Sequence, residues 1–227
     1  MSRRLALLLA VVAHCEAGTP PEDLRGHHAR RISGALGVSS EVTPLLGLFT
    51  LTAGVNDVPT PMLVDTGAPL TFVNPGGSLS RGPQRLRSLT IAGATLFDVP
   101  VVGDDPFGLA PLVGGVLGVN VICQFNATWD WRRRRFTLGD TPQDAEVVEQ
   151  ETVIPFVLRG GGTFRVSGVD VRVPPTRIIV EGEVEGQRLA LVLDTGASTS
   201  ALRDDLVASL AGDRPSVTVR VGSPRWI

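Results

Sequence analysis

Met62-Leu63-Val64-Asp65-Thr66-Gly67-Ala68 returns 129 residues later as Leu191-Val192-Leu193-Asp194-Thr195-Gly196-Ala197. In both places an apolar run leads straight into Asp-Thr-Gly-Ala, so a strand ends in a tight turn that aims one carboxylate outward. The glycine supplies the backbone freedom such a turn needs. A single Asp-Thr-Gly is an ordinary turn, because Asp and Gly are favoured there for local reasons. Two in register are a repeat, and the same offset aligns 48–73 with 177–202 without a gap. That is an internal duplication.

Working outward, each copy has an alternating segment (48–55; 178–184) that meets a polar turn, Asn56-Asp57 in one and Glu185-Gly186-Gln187 in the other. The apolar strand into the Asp follows, so each copy reads as a β-hairpin feeding the motif. Segment 86–102 alternates around Ala92-Gly93 and predicts two more strands, with Pro100 as a further turn signal. Segments 154–158 and 163–166 flank Gly160-Gly161-Gly162 and predict another hairpin. Strand 169–173 ends at Pro174-Pro175. Near the C-terminal end, 203–210 predicts a short helix and 216–221 a strand.

These residues resemble the retropepsin-like aspartic proteases, in which two lobes each contribute an Asp-Thr-Gly turn. Val116-Leu117-Gly118 resembles the apolar-apolar-Gly segment that crosses behind such a turn and supports it. Residues 125–138 resemble the closing hairpin of a lobe. The resemblance implies an all-β protein of closed barrel lobes, duplicated, with lobes at 44–140 and 153–227 joined by an acidic linker, 141–152. Only 33 residues follow Asp194, fewer than the 53 that separate Asp65 from Gly118, so an incomplete second lobe is expected. Pro69 stands where the second copy has Ser198, and proline removes a backbone donor beside the turn. The stretch 74–87 is short for a substrate-covering flap.

The implied activity is that of an aspartic endopeptidase acting on polypeptide substrates with no cofactor and no metal. Asp65 and Asp194 are its candidate catalytic residues. Thr66, Gly67, Ala68, Thr195, Gly196 and Ala197 are the candidate supports of the two turns, and Val116, Leu117 and Gly118 the segment behind the first. Two carboxylates sharing one cleft cannot both ionise easily, so one proton serves the pair. Asp65 and Asp194 pair within one chain in one arrangement, an intrachain pseudo-dimer of lobes; in the other, a homodimer pairs identical turns. The alternatives to the enzyme are a catalytically inactive peptide-binding protein of the same fold and a truncated, non-functional product.

Composition narrows the remaining classes. All 21 basic residues are Arg and the net charge is −2, which gives no electrostatic argument for nucleic acid. Arg132 to Arg135 is expected to form the solvated face of an edge strand. Arg3-Arg4 followed by an apolar run to Ala13 reads as a secretory signal, residues 1–17, too short to span a bilayer. The expected location is secreted or periplasmic, with lipid anchoring through Cys15 as the alternative. Residues 18–43 read as a leader without sustained period. His14, His27 and His28 all fall in the signal or the leader, so Cys123 is expected to be a buried thiol without a histidine partner, and neither Cys-His nor Ser-His-Asp chemistry is expected.

Overall fold

The computed structural model describes residues 12–13, 28–139 and 154–207, apart from 78, 106, 107, 111, 167, 174 and 204. Its strands in chain order begin with β1 (Val12–Ala13), β2 (Arg31–Gly34), β3 (Ser39–Glu41), β4 (Thr43–Leu45), β5 (Leu48–Val55) and β6 (Val58–Val64). Then come β7 (Phe72–Val73), β8 (Gly82–Ile91), β9 (Ala94–Gly103), β10 (Gly115–Leu117), β11 (Asn126–Asp130) and β12 (Arg135–Gly139), with one helical turn, α1 (Val119–Ile122), after β10. The later part holds β13 (Phe156–Arg159), β14 (Gly162–Val166), β15 (Val169–Val173), β16 (Arg177–Val184) and β17 (Gln187–Val192). The fold is all-β.

Six strands close a barrel. β5 pairs with β6, β6 with β10, β10 with β7, β7 with β9, β9 with β8, and β8 returns to β5. Alternation along each strand decides what fills it. Leu51, Met62, Val64, Val73, Val101 and Leu117 point inward and are buried in one cluster. Their neighbours Leu63, Phe72, Val102 and Val116 point outward and form a second, smaller cluster. A four-stranded sheet in the order β1-β11-β12-β3 carries Trp129 and Phe136, both buried, into the main core. The hairpins of the first copy follow the sequence reading, with positive φ at Asn56 and Asp57 and at Ala92 and Gly93.

The second copy is a three-stranded sheet, β13-β16-β17, beside a separate β14-β15 hairpin. Its β16 and β17 repeat β5 and β6. The pairing of Ile179 with Val192 reproduces that of Thr50 with Leu63 at the 129-residue offset. Ile178 is buried in the main core, with Phe156, Leu158, Val180 and Leu193 packed against it.

Several expectations are corrected. Segments 154–158 and 163–166 do not form a hairpin with each other. Positive φ at Gly160, Gly161 and Gly162 swings the chain, so that β13 pairs with β16 and β14 with β15. The stretch 18–43, expected to be a leader without sustained period, carries β2 and β3, which pair with β9 and β12, then the buried Val42 and the first residue of β4. Arg132 to Arg134 lie in a turn, and β12 is flanked on both sides, so this is no edge strand. Pro100 sits within β9 rather than in a turn. Of the expected helix 203–210, residues 205–207 are helical, and the rest of its C-terminal part, the 216–221 strand and the linker 141–152 lie outside the described residues. So does the expected signal except Val12 and Ala13, which pair with Thr128 and Ala127. Among the described residues no helix is long and apolar enough to cross a membrane.

Candidate active site

β6 delivers Asp65 to a turn held from behind by β10, whose register places Leu117 beside Val64 in parallel. The backbone N–H of Asp65 donates to Leu117 O at 3.0 Å, and that of Val119 donates to Ala68 O at 2.9 Å. Gly118 is required there, because a Cβ would collide with the carbonyl oxygen of Leu70. Asn120, fully buried, finishes the support. Its Oδ1 accepts from the Thr71 N–H at 2.8 Å and the Thr71 hydroxyl at 2.9 Å, and its Nδ2 donates to Pro100 O at 3.0 Å. The sequence reading passed over Asn120; its signal was one amide inside an apolar run, since a buried polar side chain needs partners.

The second turn approaches the first with matching chemistry. Thr66 N–H donates to Thr195 Oγ1 and Thr195 N–H donates to Thr66 Oγ1, each at 3.0 Å. The two hydroxyls donate onward, Thr66 to Leu193 O and Thr195 to Val64 O, each at 2.8 Å. Four hydrogen bonds related by a pseudo-twofold thus lock the turns together, and each threonine uses its hydroxyl both as donor and as acceptor.

This lock brings Asp65 and Asp194 face to face. A Cβ on Gly67 would stand 2.6 Å from the Asp194 carboxyl oxygens, and one on Gly196 would collide with the Asp65 carboxyl. Glycine at both positions is therefore a matter of space as well as of conformation. Gly67 and Ala68 N–H groups donate to Asp65 Oδ1 at 2.7 and 3.2 Å, and Gly196 N–H donates to Asp194 Oδ1 at 2.9 Å. Asp65 is pushed up to about 7, first by burial, then by the Asp194 charge and the hydrogen bond between the two carboxyls. The backbone donors of Gly67 and Ala68 oppose this without cancelling it. A carboxyl that holds its proton into the neutral range beside a second carboxylate can act as an acid while its neighbour acts as a base.

The surroundings are unequal. Asp65 is 7% exposed, whereas Asp194 is on the surface. Leu48, Thr50, Leu63, Leu109, Leu112 and Val113 line an apolar groove on the first copy. One histidine departs from expectation: His28 Nε2 lies 3.8 Å from Cys123 Sγ, because β2 and the residues before it pack onto the barrel. Cys123 is half-buried. Among the described residues no three His, Cys, Asp or Glu side chains stand together as a metal site would require.

No protein-family model matches the chain, and no curated protein matches it. Among solved structures it is similar to a retropepsin-like aspartic protease from Rickettsia conorii, with 21% sequence identity and a TM-score of 0.33, over 47% of this chain and 92% of that one. The likeness is weak and partial.

Proposed function

We propose that this chain is an aspartic endopeptidase whose catalytic pair is Asp65 and Asp194 of the same molecule. The observation that carries the reading is the reciprocal lock of Thr66 and Thr195, which holds the two carboxyls in contact, where burial first and the Asp194 charge second keep the Asp65 proton into the neutral range. The threonines and Gly67, Gly196, Ala68 and Ala197 shape the turns, and Val116, Leu117 and Gly118 hold the first from behind.

In this mechanism the ionised member of the pair takes a proton from a water lying between the carboxyls as its oxygen attacks the scissile carbonyl. The protonated member donates to the carbonyl oxygen, whose negative charge grows as the tetrahedral intermediate forms. The carboxyl that took the water's proton then passes it to the leaving nitrogen, the C–N bond breaks as the C=O bond re-forms, and the hydroxyl that becomes this carbonyl returns its proton to the other carboxylate, so the pair regains its single proton. The carboxyls titrate as a unit, so the proton belongs to the pair. No covalent acyl-enzyme forms.

Pairing within one chain is favoured over a homodimer because the Asp65 and Asp194 turns already satisfy each other. The lobes at 44–140 and 153–227, export through residues 1–17 and the incompleteness of the second lobe belong to the same proposal. The test is peptide cleavage by the full chain beside Asp65→Asn and Asp194→Asn. Loss in both variants supports one intrachain pair; loss in Asp65→Asn alone favours a homodimer of first lobes; a folded wild type that cuts no peptide between pH 3 and 8 refutes the enzyme.

A further inference from the structure

The face of the β13-β16-β17 sheet that carries Asp194 is open and has an ordered chemistry. Val157, Ile179 and Val192 are direct neighbours across the three strands. Val157 is 50% and Val192 51% exposed. Alternation puts this row on the opposite side from Ile178 and Val180, which pack into the main core. In the first copy the corresponding positions, Thr50 and Leu63, are buried along the apolar groove that Leu109, Leu112 and Val113 help to line. Among the described residues nothing equivalent covers the second copy.

The next row on this face is Arg159 opposite Arg177, and Leu193 N–H donating to Ile178 O at 2.9 Å continues the register so that Arg177 is level with Asp194. Both arginines are exposed and neither has an acidic partner among the described residues. The Arg177 stem lies over Gly160, with Cδ 3.3 Å from the place of a glycine Cβ, which keeps it beside Arg159. Like charges directly opposite each other repel, so the pair is held at a cost that an anion between them would relieve. At the far end of the same face stand Glu181 and, beyond it, Glu183 opposite Arg188, so two arginines face each other without an intervening acid only at the end beside Asp194. The position that Arg177 occupies is Leu48 in the first copy, so the two flanks of the carboxyl pair differ in kind.

We propose, resting on the endopeptidase reading, that Arg159 and Arg177 bind an acidic side chain of the polypeptide substrate while Val157, Ile179 and Val192 take an apolar residue next to it. The substrates are thus peptides with an Asp or Glu beside an apolar residue on the Asp194 flank. Planar guanidinium groups suit a carboxylate through paired N–H donors.

The test measures binding to the full chain of fluorescent, C-terminally amidated apolar peptides that carry one Asp or, in its place, one Asn. The Asp peptide is expected to bind about fivefold more tightly at low salt. The preference falls to unity in Arg159→Gln/Arg177→Gln, reverses toward a Lys peptide in Arg177→Glu, and persists in Arg188→Gln. Equal affinity for the Asp and Asn peptides overturns the inference, as does a gain seen only when the Asn peptide has a free C-terminal carboxylate. Cleavage is followed in the same samples. Asp-selective binding without cleavage refutes the endopeptidase and leaves the subsite standing, whereas cleavage without Asp preference does the reverse.

Discussion

Asp65 keeps its proton because it is buried against another carboxyl, and that has consequences for both activity and stability. In the proposed mechanism cleavage requires one proton shared by the pair, so activity is expected to fall as pH rises through about 7. Asp65→Asn and Asp194→Asn are each expected to reduce the turnover by about a thousandfold or more, read by peptide cleavage with circular dichroism as the control for folding. The stability effect has a definite sign. An unfolded Asp titrates near 3.9, well below the folded value, so the folded state holds the proton more tightly. The contribution is therefore complete below about pH 4 and is lost as pH rises through about 7. Urea midpoints of the wild type should decline over that window relative to those of Asp65→Asn, and parallel curves would refute burial as the cause.

The threonine lock is a second test at this scale. Valine has the shape of threonine without the hydroxyl, so Thr66→Val leaves Thr195 N–H and Leu193 O with lost partners. The expected cost is about 1–3 kcal/mol, with the same for Thr195→Val. Serine at either position should recover most of it, because the hydroxyl alone carries the bonds. If Val and Ser variants are equally stable by denaturant melts, the lock contributes nothing.

At the level of strands and turns, support of the Asp65 turn depends on how closely β10 can approach it. Gly118→Ala inserts a methyl group against the Leu70 backbone, which cannot yield as a flexible side chain would. The expected loss is about 1–3 kcal/mol, with cleavage falling more than stability because the turn that carries Asp65 shifts. An alanine variant as stable and as active as the wild type would refute that role. Val116-Leu117-Gly118 was singled out through its resemblance to a segment that crosses behind such turns, and the structure places Leu117 beside Val64 and Gly118 against Leu70. The β5-β6 and β8-β9 hairpins were readable because alternation and turn residues agree there, whereas β11-β12 was expected from the resemblance. β2 and β3 were not. They are short and mostly polar, and what makes them strands is pairing with β9 and β12, far away in the chain. The three glycines at 160–162 misled for a related reason: they permit a hairpin, but the apolar partners of β13 stand on β16.

For the molecule as a whole, the contact of the two carboxyls depends on how firmly the second copy is fastened to the first. The two Asp-Thr-Gly-Ala turns stand out in the sequence through the duplication, yet the fastening does not, since no periodicity reveals which core a strand will join. Ile178 does this by entering the barrel's own core at 4% exposure, one residue from the exposed Arg177. Both parts then share apolar burial, and they should unfold together rather than as independent domains. Ile178→Ala is expected to cost about 2–5 kcal/mol, the range for deleting a buried aliphatic side chain. Because it loosens the copy that carries Asp194, it should also depress cleavage at temperatures where the barrel itself is intact. Denaturation followed by tryptophan fluorescence, with Trp226 of the second copy replaced by Phe in every chain compared, reports on Trp129 and Trp131 of the first copy, while binding of an inhibitor, a peptide that carries a tetrahedral hydroxyl in place of the scissile carbonyl, reports on the assembled pair. Coincident transitions by the two probes are expected in the wild type. If inhibitor binding is lost well before the fluorescence changes in the wild type as well, the second copy is a separately folding unit and Ile178 does not fasten it.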